Sequence, residues 1–202
     1  MTHPAPGRRE RGPTVLLSQD ALAEHVAALG RRIAADHPDG VVLVGVLKGA
    51  LVFLADLARA IPDVDVEIDF LAISRYAPDS GRVRILMDLE ADIEGRDVVL
   101  VEDMVDTGLT LAYLLRHLEE RRPRTVDVCT LLDRPVRRIV PLDVRYAGEE
   151  IGDVFVLGYG LHHADLYRNL PFVVTADRAV VVDRPEAYVA ALYGRESPDL
   201  RG

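Results

Sequence analysis

Val98-Val99-Leu100-Val101-Glu102-Asp103-Met104-Val105-Asp106-Thr107-Gly108-Leu109-Thr110 is the stretch on which the fold turns. The unbroken apolar run from Val98 to Val101 reads as a strand buried on both faces, the habit of a parallel sheet covered by helices. Two adjacent carboxylates close it, and a glycine-containing turn then enters a helix whose apolar stripe is Leu111, Leu115 and Leu118. Backbone N–H groups of such a turn, joined by the hydroxyls of Thr107 and Thr110, make a nest where a phosphate sits on the helix N-terminus. Glu102 and Asp103 stand one turn away, suited to sugar hydroxyls or to a metal ion. A solvated acidic loop with a threonine cap uses the same residue types; the buried strand in front of the carboxylates favours a ligand.

Upstream, Ser18 precedes Leu22, Val26, Leu29 and Ile33, whose helical spacing predicts a capped amphipathic helix ending before His37-Pro38. Asp39-Gly40 turns the chain into a second buried strand, Val41 to Val46, which Lys48-Gly49 ends before a helix from Ala50 to about Ala60. Val64, Val66, Ile68 and Phe70 alternate with Asp65, Glu67 and Asp69, predicting a strand with one wet face. Arg75 to Arg82, with Pro78, Asp79, Ser80 and Gly81, reads as a mobile loop before a short strand around Val83 to Leu86. Downstream, Val126 to Leu132 is a further strand. Val144 to Ala147, Val154 to Leu157, Phe172 to Thr175 and Ala179 to Val182 suggest irregular strands, followed by a helix from Pro185. The expected class is therefore α/β: a central parallel sheet flanked by helices, a ligand at the carboxyl ends of its strands, and a small hood of irregular strands. We expect a flexible tail over 1–14 and one domain over 15–202, with its core about 41–135 and its hood mainly 136–202 plus the N-terminal segment.

Composition narrows the function. Of 202 residues, 49% are hydrophobic and 28% charged, enough for a sizeable core and against disorder. The net charge of −9 argues against a protein whose business is neutralising nucleic-acid phosphates. Cys129 stands alone, so neither a disulfide framework nor a thiolate metal cluster is expected; its apolar neighbours suggest a small core residue. Met1 to Thr14 lacks the apolar region of a signal peptide, and no apolar stretch approaches the roughly 18 residues that span a bilayer. No membrane and a cytoplasmic location are expected.

The run from Glu102 to Thr110 resembles the 5-phosphoribosyl-1-diphosphate (PRPP) signature of type I phosphoribosyltransferases, two acidic residues closing a strand before an Asp-Thr-Gly-x-Thr loop. The resemblance extends from about Val41 to Val182 and is nearest to the hypoxanthine-guanine group. It is carried also by Gly45-Val46-Leu47-Lys48-Gly49-Ala50, Leu131-Leu132-Asp133-Arg134-Pro135, Phe155-Val156-Leu157-Gly158-Tyr159-Gly160-Leu161 and Tyr167-Arg168-Asn169-Leu170. It implies that Glu102 and Asp103 hold the ribose hydroxyls, directly or through Mg²⁺, and that Asp106, Thr107, Gly108, Leu109 and Thr110 bind the 5-phosphate. Asp106 is implied to take or hold the N7 proton of the purine while N9 attacks C1. Leu47, Lys48 and Gly49, where the family carries a non-proline cis peptide, are implied to bind pyrophosphate together with Arg168 and with Arg75 and Tyr76 of the closing hood. Phe155 would stack on the base, the Val156 backbone would read its edge, and Arg134 would contact the 6-oxo group. A homodimer or homotetramer is implied as well.

Three departures from the family pattern bear on specificity. Arg134 stands where the family has Lys, Arg75 where the hood usually has Ser, and Gly160-Leu161-His162-His163 replaces Gly-Leu-Asp-Tyr. Imidazole is a poor Mg²⁺ ligand, so His162 and His163 are expected to hydrogen-bond the base or pyrophosphate instead, the alternatives being a softer metal on the two histidines or Asp165 supplying the missing carboxylate from a shifted register. The expected function is transfer of the phosphoribosyl group of PRPP to hypoxanthine or guanine, with Mg²⁺ as cofactor. The alternatives are a modified purine of the 7-deazaguanine type, or a non-catalytic nucleotide-sensing, RNA-binding regulator.

Overall fold

The structure, a computed structural model, describes residues 12–74 and 84–194. In chain order the elements are β1 (Thr14–Leu17), α1 (Gln19–Asp36), β2 (Val41–Leu47), α2 (Leu51–Ala60), β3 (Val66–Ser74), β4 (Arg84–Met87), β5 (Asp97–Val105), α3 (Leu109–Glu119), β6 (Thr125–Asp133), β7 (Tyr146–Glu150), β8 (Phe155–Leu157), β9 (Val173–Ala176), α4 (Arg178–Asp183) and α5 (Val189–Tyr193). They fall into two compact units. The larger spans Gln19–Asp153, and the smaller joins the chain before it to the chain from Val154 onward.

The larger unit is a six-stranded sheet in the order β4-β3-β2-β5-β6-β7. Every neighbouring pair is parallel except β3 with β4, an antiparallel edge. Val41 to Val46 and Asp97 to Asp103 are buried without alternation, which an unbroken apolar run achieves only when both sheet faces are covered. Val42, Val44, Val98 and Leu100 share one core with Leu111, Leu114 and Leu118 of α3. α1 buries the stripe Leu22, Val26, Leu29 and Ile33, as its spacing predicts. Cys129 is fully buried, and burial pushes its thiol pKa far up.

At the amino ends of β5 and β6 lies a polar network that composition alone does not reveal. His37, 3% exposed, places Nδ1 3.0 Å from Asp97 Oδ2 and Nε2 3.1 Å from the Tyr146 hydroxyl. Arg124 donates twice to Asp97, at 2.7 and 2.6 Å, and Thr125 once at 2.8 Å. These bonds, that of Arg124 first, hold the Asp97 carboxyl well below the usual carboxylate range against the opposing cost of burial.

The smaller unit is an antiparallel sheet in the order β1-β9-β8, with Leu157, Tyr167, Leu170, Val174, Val181 and Tyr188 as its core. The Tyr167 hydroxyl donates to the carbonyl of Pro185 at 2.6 Å, so its buried phenol is satisfied.

Several expectations are corrected. Ala179 to Val182 is not a strand but the middle of α4, because Asp177 caps it: its carboxylate accepts the Ala179 N–H at 3.0 Å. The helix expected from Pro185 begins at Val189. The expected strand at Val144–Ala147 is realised as β7, which extends the large sheet parallel to β6. On α3 the buried stripe takes Leu114 instead of Leu115. In β3 the expected alternation is not realised: Glu67 and Ile68 are both exposed, Ile68 at 45%, Asp69 and Phe70 are both half-buried, and Leu71 is buried. This follows because Asp69 accepts the N–H groups of Glu90 and Ala91 at 2.9 and 2.8 Å, docking that turn beside Leu71. The expected loop from Arg75 to Arg82, with Arg75 and Tyr76, lies outside the described residues, as do residues 1–11 of the expected tail.

Candidate functional site

Strands β2 and β5 are parallel neighbours, so their carboxyl ends arrive side by side. After Leu47 the chain turns through a cis peptide to Lys48, the non-proline cis bond that the resemblance implies. Lys48 is exposed and Gly49 buried. A Cβ at Gly49 would lie 2.0 Å from Asp103 Oδ2 and 2.6 Å from its Cγ, so only glycine lets the turn close on that carboxylate. Asp103 Oδ1 accepts the N–H of Met104 at 2.8 Å. Glu102 and Asp103, at the carboxyl end of β5, are 6% and 5% exposed.

β5 then gives way to the loop Asp106–Thr110. Gly108, the N-cap residue of α3, takes φ 82°, a conformation that costs glycine little, and contributes no side-chain cap. The first N–H groups of α3 thus lack intrahelical partners; among the described residues that of Leu109 is met locally, by Thr107 Oγ1 at 3.4 Å. Such an end is where an anionic oxygen binds.

The segment after β6 straps this loop down. Ile139 and Val140 both donate to the Thr107 carbonyl, at 2.9 and 3.1 Å, and Arg138 Nε donates to the Asp106 carbonyl at 3.0 Å while pairing with Asp133. The Asp106 carboxylate sits between two guanidinium groups: Oδ2 is 3.6 Å from Arg134 Nη1 and Oδ1 is 3.6 Å from Arg137 Nε. Its Oδ1 is buried and accepts no hydrogen bond, which leaves an acceptor poised for a donor. Sequence reasoning named Arg134 but missed Arg137, Arg138 and Asp133. The signal was present as a basic cluster directly after the polar end of a buried strand.

In the smaller unit Phe155 opens β8 half-buried, and Val156 is buried. The Phe155 ring meets that of His163 edge to face at 6.0 Å. His162 turns elsewhere: its Nδ1 accepts the Asp165 N–H at 3.1 Å. Arg168 donates through Nη1 to the Gly160 carbonyl at 2.7 Å and through Nη2 to Asp165 Oδ1 at 3.1 Å. Among the described residues no group of three or more His, Cys, Asp or Glu is placed to hold a metal ion. The donor set that is present, two oxygen ligands on β5, suits Mg²⁺, which is usually held by one or two carboxylates together with substrate phosphates and water.

Two carboxylates and an uncapped helix start at the carboxyl edge of a parallel sheet are an arrangement that can hold a phosphorylated sugar. The family model described as phosphoribosyl transferase domain matches residues 16–164, and the chain belongs to that family. Within it, the chain is similar to the hypoxanthine-guanine phosphoribosyltransferase of Mycobacterium avium, with 45% identity over 177 residues, 83% of this chain and 87% of that protein. The Bacillus subtilis enzyme of the same name is 41% identical over 170 residues, 82% of this chain and 94% of its own. A crystal structure of a hypoxanthine-guanine phosphoribosyltransferase from Bacillus anthracis superposes with a TM-score of 0.78 at 42% identity, covering 81% of this chain and 98% of that one.

Proposed function

We propose that the enzyme transfers the 5-phosphoribosyl group of PRPP to N9 of hypoxanthine or guanine, giving the nucleoside 5-monophosphate and pyrophosphate. The observation that carries this reading is the seating of Gly49 on Asp103, which brings the turn after β2 against a carboxylate of β5. Glu102 and Asp103 accept the ribose hydroxyls, and the free N–H groups at the start of α3, with Thr107 and Thr110, hold the 5-phosphate. The N9–C1 bond forms as the bond from C1 to pyrophosphate breaks, and the Asp106 carboxylate receives the N7 proton of the base. Arg134 donates to the 6-oxo group, Phe155 stacks on the base and Val156 reads its edge. Lys48 and Arg168 neutralise the departing pyrophosphate. Mg²⁺, held by Glu102 and Asp103 with substrate oxygens, would supply further neutralisation of that leaving group. No helix among the described residues is long and apolar enough to cross a membrane. A homodimer or homotetramer is part of the same reading.

The test is pyrophosphate release from PRPP and Mg²⁺ with hypoxanthine, guanine, xanthine, adenine and 7-cyano-7-deazaguanine. Turnover with hypoxanthine or guanine is expected. Turnover confined to the deaza base would replace the salvage reading by a modified-purine one, since that base has no N7 proton to give Asp106.

A further inference from the structure

Two successive peptide groups after β5 are held by their carbonyls, and both are held by the segment that follows β6. The Asp106 carbonyl accepts Arg138 Nε at 3.0 Å, and the Thr107 carbonyl accepts the N–H groups of Ile139 and Val140 at 2.9 and 3.1 Å. In a trans peptide the carbonyl and the N–H that follows it point in opposite directions. The N–H groups of Thr107 and Gly108 therefore both face away from that segment, and neither has a partner among the described residues. Two successive N–H groups turned to one side, beside the uncapped start of α3, make the concavity that an anionic oxygen enters. Gly108 has its back against the strap: a Cβ there would lie 2.8 Å from Leu142 Cδ1, 3.0 Å from the Val140 carbonyl oxygen and 3.1 Å from Arg138 Cδ.

Of these tethers to the two carbonyls, the one from Arg138 comes from a side chain, and its other end is anchored. Arg138 pairs through Nη2 with Asp133, and both residues are half-buried. Asp133 is the last residue of β6 and lies in register with Val105 of β5, while its carbonyl holds the Ile151 N–H at 2.7 Å. The guanidinium is thus a brace of fixed length between the sheet and the loop. Its planar fork fills two positions at once, which a single ammonium group cannot do. The neighbouring Arg137 turns to a different group, the Asp106 carboxylate, so two adjacent arginines divide the backbone and the side chain of one residue between them.

We infer that Arg138 is a positioning residue for PRPP: it fixes the Asp106–Thr107 peptide so that the Thr107 N–H faces the 5-phosphate, and it touches no substrate itself. This rests on the proposed phosphoribosyl transfer, and it gives a residue outside the loop a part in holding PRPP that is separate from the proton transfer at Asp106. The 5-phosphate is bound alike in the ground and transition states, so losing the brace raises the KM for PRPP and spares kcat.

The experiment is steady-state pyrophosphate release at saturating hypoxanthine with PRPP varied, in the full-length chain and its Arg138→Ala and Arg138→Lys variants, alongside melting temperatures and calorimetric titration of PRPP without base. The Ala variant is also assayed with millimolar guanidinium chloride, far below denaturing concentrations. Arg138→Ala raises the KM for PRPP about tenfold or more with kcat within a few-fold, and Arg138→Lys raises it too. Added guanidinium lowers the KM of the Ala variant and leaves that of wild type unchanged. An Ala variant whose KM for PRPP stays within about twofold of wild type, or one that loses kcat with KM unchanged, overturns the assignment while leaving phosphoribosyl transfer intact. Loss of kcat and of PRPP affinity together, without rescue, marks a general loosening and overturns it as well. If Arg138→Ala melts below the assay temperature, Arg138→Lys decides: a wild-type KM overturns the assignment and a raised KM with kcat kept supports it. A wild-type chain that turns over no purine base and binds no PRPP overturns the transfer reading along with it.

Discussion

Replacing Gly49 by alanine separates activity from stability at a single methyl group. The added Cβ would lie 2.0 Å from Asp103 Oδ2, and ordinary contact begins near 3.4 Å, so turn and carboxylate must part by about 1.4 Å. Asp103 has little room to yield, being 5% exposed and tied through Oδ1 to the Met104 N–H. Overpacking of this kind costs about 1–3 kcal/mol, which in a chain of this size lowers Tm by roughly 2–10 °C. The catalytic cost is larger: a displacement of about 1 Å in a positioning group typically costs ~100-fold in rate. Gly49→Ala should therefore remain folded by circular dichroism at 25 °C while kcat/KM for PRPP, measured by pyrophosphate release with saturating hypoxanthine, falls at least ~100-fold. Activity within twofold of wild type would refute the reasoning, because the turn and the carboxylate would then not act as one site.

Asp106→Asn removes the proton acceptor and should lower kcat by ~10²–10⁴-fold with the KM for PRPP within a few-fold, read from steady-state kinetics. Asp97→Asn, far from the nest, should leave kcat unchanged and cost about 3 kcal/mol in thermal or urea unfolding, since it breaks a buried carboxylate's bonds to Arg124, His37 and Thr125. Because folding depresses the Asp97 pKa, its contribution is fully present above the unfolded value near 3.9 and is lost as pH falls toward the folded one; the gap between wild type and Asp97→Asn should be flat from about pH 5 to 7 and narrow below about pH 4. Gly158→Ala places a Cβ 2.1 Å from the Phe172 carbonyl oxygen at φ 103° and should destabilise the smaller unit by more than about 2 kcal/mol, seen as faster hydrogen exchange in β8 and β9.

What could be read from the chain followed from local periodicity. The unbroken runs at Val41–Val46 and Val98–Val101 announce doubly covered strands, and both are buried strands of the large sheet. Local pattern fails where a side chain or a distant segment overrides it. The β-branched run Val180-Val181-Val182 reads as strand, yet the Asp177 cap makes it helix. Alternation in the sequence of β3 is not matched by its burial, because the turn at Glu90-Ala91 docks on Asp69 from a distance no local window contains. The contact between Gly49 and Asp103, the strap of Arg137 and Arg138 over Asp106, and the His37–Asp97–Tyr146 network join residues far apart in the chain, so no window of sequence contains them.

The most direct measurement mixes the enzyme with PRPP, Mg²⁺ and hypoxanthine and counts nucleoside 5-monophosphate and pyrophosphate by chromatography over the same time course. Phosphoribosyl transfer predicts one nucleotide formed for each pyrophosphate released, and no release when the base is omitted. Pyrophosphate released without nucleotide, or no turnover with any purine base, would contradict it.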